Sequence, residues 1–184
     1  NGLYVSFNRG GSWEAFVNNL PNVAVHDLVL QPTAKDLIVA THGRSLYKAN
    51  IASLQKMTDE VLAKKTHVFT IDAIQKNSSW GRSWSQWRTA YTPEIKIPFY
   101  SNADVKITVG IYSGAVNVNS ISIAADSGFN EAVFDASFSE KGKRRYEKSN
   151  KNLELKAAKN GVFYLPKGKY TVKIGNAESE FEIR

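Results

Sequence analysis

Apolar and polar residues alternate with a period of two in several short runs near the start of the chain. This period is typical of half-buried β-strands. The alternation at Tyr4–Phe7 and the glycine-rich turn at 8–11 predict a two-stranded hairpin over residues 1–17. Three more runs, separated by turn residues, predict a meander of three strands within residues 23–49. The run 37–41 is almost entirely apolar, so we expect both of its faces to be buried.

The pattern changes after the meander. From Ile51 to Leu62 apolar residues recur at a spacing near 3.6, which predicts a short helix or helical turn. The segment 68–71 predicts a brief strand. Residues 72–91 show no regular alternation and are rich in Ser, Asn and Trp, which predicts an irregular linker between two domains.

Period-two alternation returns at residue 93 and continues to the end of the chain. Seven or eight short strands separated by turn residues are typical of an immunoglobulin-like β-sandwich. The predicted strands are 94–100, 105–112, 118–125, 129–138, 153–156, 162–165, 170–174 and 180–183. The last two form a hairpin around residues 175–177. Taken together, the pattern predicts an all-β chain.

One motif links the first hairpin to a known class of repeat. Its residues are Ser6, Asn8, Gly10, Ser12 and Trp13, and their spacing resembles the Asp-box, or BNR, repeat of sialidase-like and sortilin-like β-propellers. Asn8 stands where the family has Asp, and Ser12 where it has Thr. Both keep a short oxygen-bearing side chain that can bond the backbone N–H groups of the turn. The motif has a structural role and carries no catalytic group.

The meander resembles the last blade of bacterial BNR-repeat proteins that are labelled glycosyl hydrolases. The residues that carry this resemblance are Val25–Leu28 and Leu37–Tyr47. The resemblance implies that residues 1–17 form the outer two strands of one blade and that residues 23–49 form the inner strands of the next. Two partial blades cannot close a ring, so we expect the other blades upstream in a longer protein.

The second half resembles the small sandwich that follows the propeller in the same family, and the related flagellar hook-capping (FlgD-like) domain. The matching segments are 105–109, 128–135 and 165–172. Phe134 stands where the family tends to have Trp, and it keeps the bulk of a core aromatic. The predicted domains are a terminal propeller region (1–58), a tryptophan-rich linker (59–92) and an immunoglobulin-like β-sandwich (93–184).

Composition and charge add two constraints. The 184 residues carry a formal net charge of +7 and include no cysteine, which excludes disulfides and thiolate metal sites. Much of the positive charge lies in the run 141–151, which we interpret as a solvated loop between strands. Tyr146 is the only aromatic residue of this run, whereas nucleic-acid binding surfaces interleave basic and aromatic residues. We therefore predict no nucleic-acid partner.

Asp27, His42 and Arg44, together with the neighbouring His26, form the densest polar group of the meander. The resemblance implies that they lie near one mouth of the propeller axis, where Arg44 could clamp a ligand carboxylate in bidentate fashion. The alternative is a structural role, in which Asp27 pairs with Arg44 or with a backbone N–H of the turn. A sialidase site needs three arginines, and this segment could supply at most one.

The acidic residues near the meander do not indicate a catalytic pair. Glycosidases need two carboxyl groups about 5 to 9.5 Å apart, and the spacing of Asp27, Asp36, Asp59 and Glu60 suggests no such pair. The three histidines of the chain have no metal-ligand spacing. We therefore predict no metal, no cofactor and a non-catalytic fragment, although its parent protein could be a glycoside hydrolase.

Trp80, Trp84 and Trp87 are the candidate ligand-binding residues of the linker. Aromatic side chains on loops can stack on sugar rings while nearby Arg and Asn bond the hydroxyl groups, which would make the chain a carbohydrate-binding module. Alternatively, the tryptophans pack the linker between the two domains. A third interpretation is a protein–protein interface, as in a sortilin-like protein.

The predicted partners follow from the same observations. No apolar run reaches the roughly 18 to 20 residues that span a bilayer, so no membrane span is predicted. The resemblance implies a secreted or periplasmic bacterial protein whose first partners are its own upstream blades, with carbohydrate as a candidate ligand. An incomplete propeller exposes strand edges and an apolar face. We therefore expect the chain to self-associate or to pack its blade against its own sandwich.

Overall fold

The computed structural model describes residues 1–16, 20–151 and 153–184. The chain is all-β, as predicted, and its strands form four antiparallel sheets in the described residues. It divides into two compact units, Asn1–Ala63 and Lys64–Arg184. The sequence placed domain boundaries at 58/59 and 92/93 instead, with a separate linker between them.

The first unit contains the predicted hairpin and the predicted three-stranded meander. The strands are β1 (Tyr4–Val5), β2 (Glu14–Ala15), β3 (Val25–Gln31), β4 (Asp36–Thr41) and β5 (Leu46–Asn50). Strand β1 pairs with β2, and the meander has the order β3-β4-β5. These pairings confirm the period-two prediction, and residue 17, the predicted end of the hairpin, lies outside the described residues.

Few apolar side chains of the first unit are buried. Among its described residues, only Val39, Met57 and Val61 are buried hydrophobic residues. The prediction that both faces of 37–41 are buried is therefore wrong, because Val39 alone is buried in that run. Strand β4 has a partner strand on each side, but its two faces are only partly covered by other side chains.

The helical prediction after the meander is confirmed. The chain forms a 3₁₀ turn at Leu54–Lys56 and a short helix, α1, at Asp59–Leu62. Asp59 and Glu60 occupy the first turn of α1, where negative charge interacts favourably with the free backbone N–H groups.

The second unit contains two sheets and one longer helix. Its elements are β6 (Thr66–Val68), β7 (Ile95–Ser101), β8 (Val105–Ser113), β9 (Val116–Ala125), β10 (Gly128–Phe134), α2 (Glu140–Ser149), β11 (Gly168–Ile174) and β12 (Ala177–Ile183). One sheet has the order β10-β7-β6, and the other has the order β12-β11-β8-β9. The predicted hairpin at the end of the chain is confirmed by the pairing of β11 with β12.

Both sheets of the second unit contribute to one hydrophobic core. Ile97 and Phe99 on β7 and Phe134 on β10 are fully buried, and so are Val109 on β8 and Val172 on β11. Along β11 burial alternates, because every second side chain points to the same face, whereas β7 is buried at nearly every position from Ile95 to Ser101. The core of the second unit thus forms between its two sheets.

The predicted linker is mostly part of the second unit. Strand β6 pairs with β7, with Thr66 opposite Ser101, and the backbone N–H of Ile74 donates to Glu182 O at 3.0 Å. Trp80 belongs to the core of this unit. The prediction of a separate linker was wrong because the partners of this segment lie far away in the sequence. Local alternation of apolar and polar residues carries no information about such distant partners.

The basic run 141–151 is not a solvated loop, because most of it forms helix α2. The Ser139 hydroxyl accepts the backbone N–H of Gly142 at 3.0 Å and caps the helix. Tyr146 is buried, and Lys143 pairs with Glu147 at 2.9 Å. The loop prediction was wrong because this helix has few apolar residues, so the sequence shows no apolar period that would indicate a helix.

Two predicted strands are not strands in the structure. Residues 153–156 lie outside the sheets, and 162–165 contribute only an isolated bridge between Ser137 and Tyr164. Leu155 and Val162 still pack against the core, which explains their apolar character. Gly161 adopts a positive φ of 79°, which is typical of a turn and not of a strand.

Candidate functional site

Residues 81–91 form a closed loop that we call the tryptophan loop. Its ends are joined by two backbone hydrogen bonds of 2.8 Å, from Gly81 N to Tyr91 O and from Tyr91 N to Arg82 O. Within it, Ser83 Oγ donates to Arg88 O at 2.6 Å. The loop therefore has its own internal bonding and presents its side chains from a defined backbone.

The three tryptophans do not form a single platform. Trp80 is 5% exposed and packs in the core, whereas Trp84 is 96% exposed and Trp87 is 86% exposed. Trp80 meets the ring of Tyr164 edge-on, with 5.7 Å between centroids. Trp80 is therefore a packing residue, and the candidate sugar-stacking pair is reduced to Trp84 and Trp87.

Gly81 marks the point where the chain leaves the core and enters the tryptophan loop. Its φ is +71°, and a Cβ atom there would lie 2.5 Å from the side chains of Ala158 and Asn160. Only glycine fits this backbone conformation and this close approach. The loop is thus anchored directly against the segment 158–160.

Helix α2 carries a second candidate surface that the sequence interpretation missed. Lys141, Arg144, Arg145 and Lys148 are exposed, and their spacing of three and four residues places them on one side of the helix. We call this the basic face. The spacing of these four residues is visible in the sequence, but it indicates a shared face only once the segment is known to be helical.

Lys143 of the same helix has a different environment. Its ammonium pairs with Glu147 and lies 4.1 Å from the ring centroid of Phe163, where a cation–π interaction holds it. Lys143 thus fixes α2 against the segment around Phe163, and it is not part of the basic face.

The predicted propeller-mouth residues are all exposed on the meander. Asp27 Oδ1 accepts the backbone N–H of Leu28 at 2.8 Å, beside a register shift between β3 and β4. The rings of His26 and His42 lie 4.9 Å apart. Arg44 has no place in the ion pairs of the described residues, so the structure does not join Asp27 to Arg44.

The carboxylate of Asp36 has a structural environment. It pairs with Lys48 at 3.2 Å and accepts the side-chain amide of Asn50 at 3.3 Å, which links β4 to β5. No group of three or more potential metal-ligating side chains occurs in the described ranges.

The Asp-box-like turn has the bonding expected from its residue types. Gly10 N donates to Ser6 Oγ at 2.7 Å, and Ser12 N donates to Asn8 Oδ1 at 2.8 Å. Asn8 also donates its amide to Ser12 Oγ at 2.8 Å. The prediction that the Asn8 side chain bonds the turn backbone is confirmed, whereas the Ser12 hydroxyl accepts the side-chain amide of Asn8 and not a backbone N–H. Trp13, the last residue of the motif, is mostly exposed.

The first unit also contains an apolar groove of about 380 Å³ between its hairpin and its meander. Tyr4 and Phe16 line it from the hairpin side, and Leu37, Ile51 and Met57 line it from the other side. The apolar side chains of the hairpin and the meander therefore leave this space between them unfilled.

The second unit has a cleft of about 720 Å³, which is lined by Lys64, Lys65 and His67 and by the turn at residues 175–178. Burial lowers the pKa of His67, and the nearby charge of Lys64 lowers it further. The ring of His67 also meets Phe69 edge-on at 4.8 Å. The imidazole is therefore held preferentially in its neutral form.

Two further polar side chains of the second unit donate hydrogen bonds to backbone carbonyl oxygens. Lys76 donates to Leu165 O at 2.8 Å, and its pKa is lowered by burial and then by the charge of Lys167. The Tyr170 hydroxyl donates to Pro166 O at 2.8 Å. Burial raises the pKa of Tyr170, with a smaller contribution from Tyr146.

Comparisons with family models, with curated proteins and with solved structures return no match for this chain. Among the helices of the described residues, none is long and apolar enough to cross a membrane.

Proposed function

We propose that this chain is the non-catalytic C-terminal part of a BNR-repeat β-propeller protein of the kind labelled glycosyl hydrolase, located in the periplasm or outside the cell. In this proposal the first unit completes propeller blades together with strands from upstream, and the second unit is an accessory domain. The observation that carries the proposal is the small core of the first unit, where only Val39, Met57 and Val61 are buried apolar residues of the described part.

Strand β3 is the clearest example of an uncovered surface. Leu28, Val29 and Leu30 are 47%, 54% and 47% exposed, and β3 is an edge strand of its sheet. Successive side chains point to opposite faces, so apolar surface is exposed on both sides. Contiguous exposed apolar surface at an unpaired edge is typical of an interaction site, and a neighbouring propeller blade would cover it.

The Asp-box-like turn supports the same proposal. Its two backbone donors, Gly10 N and Ser12 N, are bonded by the side chains of Ser6 and Asn8. The turn holds its shape through these local bonds and so depends little on a core. A repeat that must fold at the outer edge of a blade needs this kind of local stabilisation.

The strand order of the second unit supports an immunoglobulin-like accessory domain. Its first, second and fifth strands share one sheet, and the remaining four share the other. Immunoglobulin constant domains have the same order except that their fourth strand pairs with the fifth, whereas here β9 pairs with β8. Tyr170, near the start of the sixth strand, bonds Pro166 O four residues upstream, as in the tyrosine corner of such domains.

Cysteine labelling tests the proposal, because the chain has no cysteine of its own. A Leu30→Cys variant of this chain is compared with the same variant of the longest native polypeptide that contains it. We expect labelling in the longer polypeptide to be at least about tenfold slower, since a neighbouring blade covers the site. The matched control is Lys106→Cys, which lies on an exposed position of β8 and should react equally in both.

Equal labelling of Leu30→Cys in both polypeptides would contradict the proposal, provided that the control also reacts equally. A native polypeptide that begins where this chain begins would contradict it too, because no upstream blade would then exist.

A second candidate function is carbohydrate binding through Trp84 and Trp87. The observation that favours it is their near-complete exposure on a loop with internal hydrogen bonds. Exposed aromatic rings held by a defined backbone supply large contact area at low entropic cost. A sortilin-like protein interface is the competing explanation for the same two residues.

Binding of this chain to a panel of soluble polysaccharides tests the second candidate. The matched variant is Trp84→Ala/Trp87→Ala, which leaves the core residue Trp80 intact. We expect saturable binding that the variant weakens at least about tenfold, because stacking on the rings is lost. Absence of binding to every polysaccharide, or binding unchanged in the variant, would contradict this function.

A further inference from the structure

The positive charge of the chain is concentrated in one part of the second unit. Residues 139–160 contain eight Lys or Arg against three Asp or Glu, which is a net charge of +5 out of the total of +7. The first unit contains five of each kind and has no net charge. The excess charge is therefore a local property and not a general feature of the surface.

The basic face lies on α2, the helical part of this region. Its four exposed side chains, Lys141, Arg144, Arg145 and Lys148, extend over about 10 Å of helix, and they take no part in the ion pairs of the described residues. Like charges three or four residues apart on a helix repel one another. An anionic partner would remove this repulsion.

Helix α2 and the tryptophan loop contact the same segment, residues 158–164. Gly81, at the base of the loop, lies against Ala158 and Asn160, and Trp80 packs on Tyr164. Lys143 of α2 lies over the ring of Phe163 in the same segment. Lys159 in this segment and Lys156 just before it are exposed as well. The exposed tryptophans and the basic face are thus supported by one common segment.

We infer that the second unit binds a polysaccharide that carries carboxylate or sulfate groups. Trp84 and Trp87 stack on sugar rings, while the basic face pairs with the anionic groups, so the inference rests on the carbohydrate-binding function proposed above. The planar guanidinium groups of Arg144 and Arg145 fit the paired oxygens of either group. Single-stranded nucleic acid is disfavoured on α2, because its bases stack on exposed aromatic side chains and Tyr146, the aromatic residue of this helix, is buried.

The test measures the Kd of the full chain for polygalacturonate, dextran sulfate, neutral dextran and single-stranded DNA. Two double variants are matched in charge. Arg144→Gln/Arg145→Gln removes two cations of the basic face, and Lys106→Gln/Lys169→Gln removes two exposed cations of β8 and β11. The third variant is Trp84→Ala/Trp87→Ala.

We expect an anionic polysaccharide to bind at least about fivefold more weakly to the arginine variant, while the lysine control retains its affinity. The tryptophan variant should lose affinity as well, and binding should weaken as salt is raised. Comparison of polygalacturonate with dextran sulfate then assigns the anionic group as carboxylate or sulfate.

Three results would overturn the inference. Equal affinity for neutral dextran, unaffected by the arginine variant, would leave carbohydrate binding intact and reject the anionic ligand. No binding to any polysaccharide would reject both the inference and the function on which it rests. Tighter binding to DNA than to either anionic polysaccharide would assign the surface to nucleic acid instead.

Discussion

The ring of Trp80 packs edge-on against the ring of Tyr164, with 5.7 Å between their centroids. The ammonium of Lys76 lies over the same ring, 5.8 Å from the Trp80 centroid. This contact joins the segment after β6 to the core of the second unit, and it separates Trp80 in function from the two tryptophans that follow it.

Substitution of Trp80 therefore tests the packing role directly. We expect Trp80→Ala to lower the free energy of unfolding by roughly 3 to 5 kcal/mol, because a large buried side chain is removed. Trp84→Ala, at an exposed position, should change it by less than about 0.5 kcal/mol. Urea denaturation followed by far-UV circular dichroism measures both, and equal effects of the two variants would contradict the assignment.

The Asp-box-like turn gives a second prediction. Asn8→Ala removes the acceptor of Ser12 N and should raise the hydrogen-exchange rate of that amide about two- to tenfold, since a typical hydrogen bond contributes about 0.5 to 1.5 kcal/mol. Asn8→Asp keeps an acceptor oxygen and is the control. An exchange rate in the alanine variant equal to that of the unmodified chain would show that the side chain does not hold the turn.

Gly142 provides a test of how α2 is attached. A Cβ atom at this position would lie 1.8 Å from Val118 O on β9, so the helix could not keep its place. Alanine normally favours a helix over glycine by about 1 kcal/mol, but here we expect Gly142→Ala to destabilise the fold by about 1 to 3 kcal/mol.

The control for this prediction is Lys141→Ala, one residue earlier and exposed, which should be neutral within about 0.5 kcal/mol. Urea denaturation of the two variants gives the comparison. A stabilising effect of Gly142→Ala would mean that α2 is not packed closely against β9.

The lowered pKa of His67 predicts a pH dependence of stability. Because burial and Lys64 disfavour the protonated imidazole in the folded state, the folded pKa lies below the unfolded value of about 6.5. The contribution of neutral His67 is then present above the unfolded pKa and is lost as pH falls through the folded pKa.

Thermal unfolding between about pH 7.5 and about pH 5 measures this effect. We expect the Tm of the unmodified chain to fall more on acidification than the Tm of His67→Gln, which cannot titrate at this position. Parallel decreases in the two proteins would assign the pH dependence to other groups.

The exposed strand β3 predicts self-association of the chain in isolation. We expect the average mass in sedimentation experiments to rise above the 20.5 kDa monomer as concentration increases. Leu28→Lys/Leu30→Lys should reduce the association, because charges at an edge strand oppose pairing. Val105→Lys/Val133→Lys, at comparably exposed apolar positions of the second unit, is the control. A monodisperse monomer at every concentration would contradict this prediction.

The sequence by itself determined the features that depend on near neighbours in the chain. The backbone hydrogen bond of the Asn8 side chain, the three strands of the meander and the hairpin of β11 and β12 were all predicted, because period-two alternation and turn residues act locally. Six of the eight strands predicted after residue 93 form for the same reason, whereas 153–156 and 162–165 do not, and the seventh strand of the second unit, β6, lies before residue 93.

Only the tertiary structure decided which chemically similar residues are buried. Trp80 and Trp84 are the same residue type four positions apart, and contacts with distant residues such as Tyr164 place only Trp80 in the core. Helix α2 likewise depends on the docking of Gly142 against Val118, and Ile74 joins the second unit by pairing with Ile183. These contacts bring together residues far apart in sequence, and local patterns carry no information about them because burial depends on the whole fold.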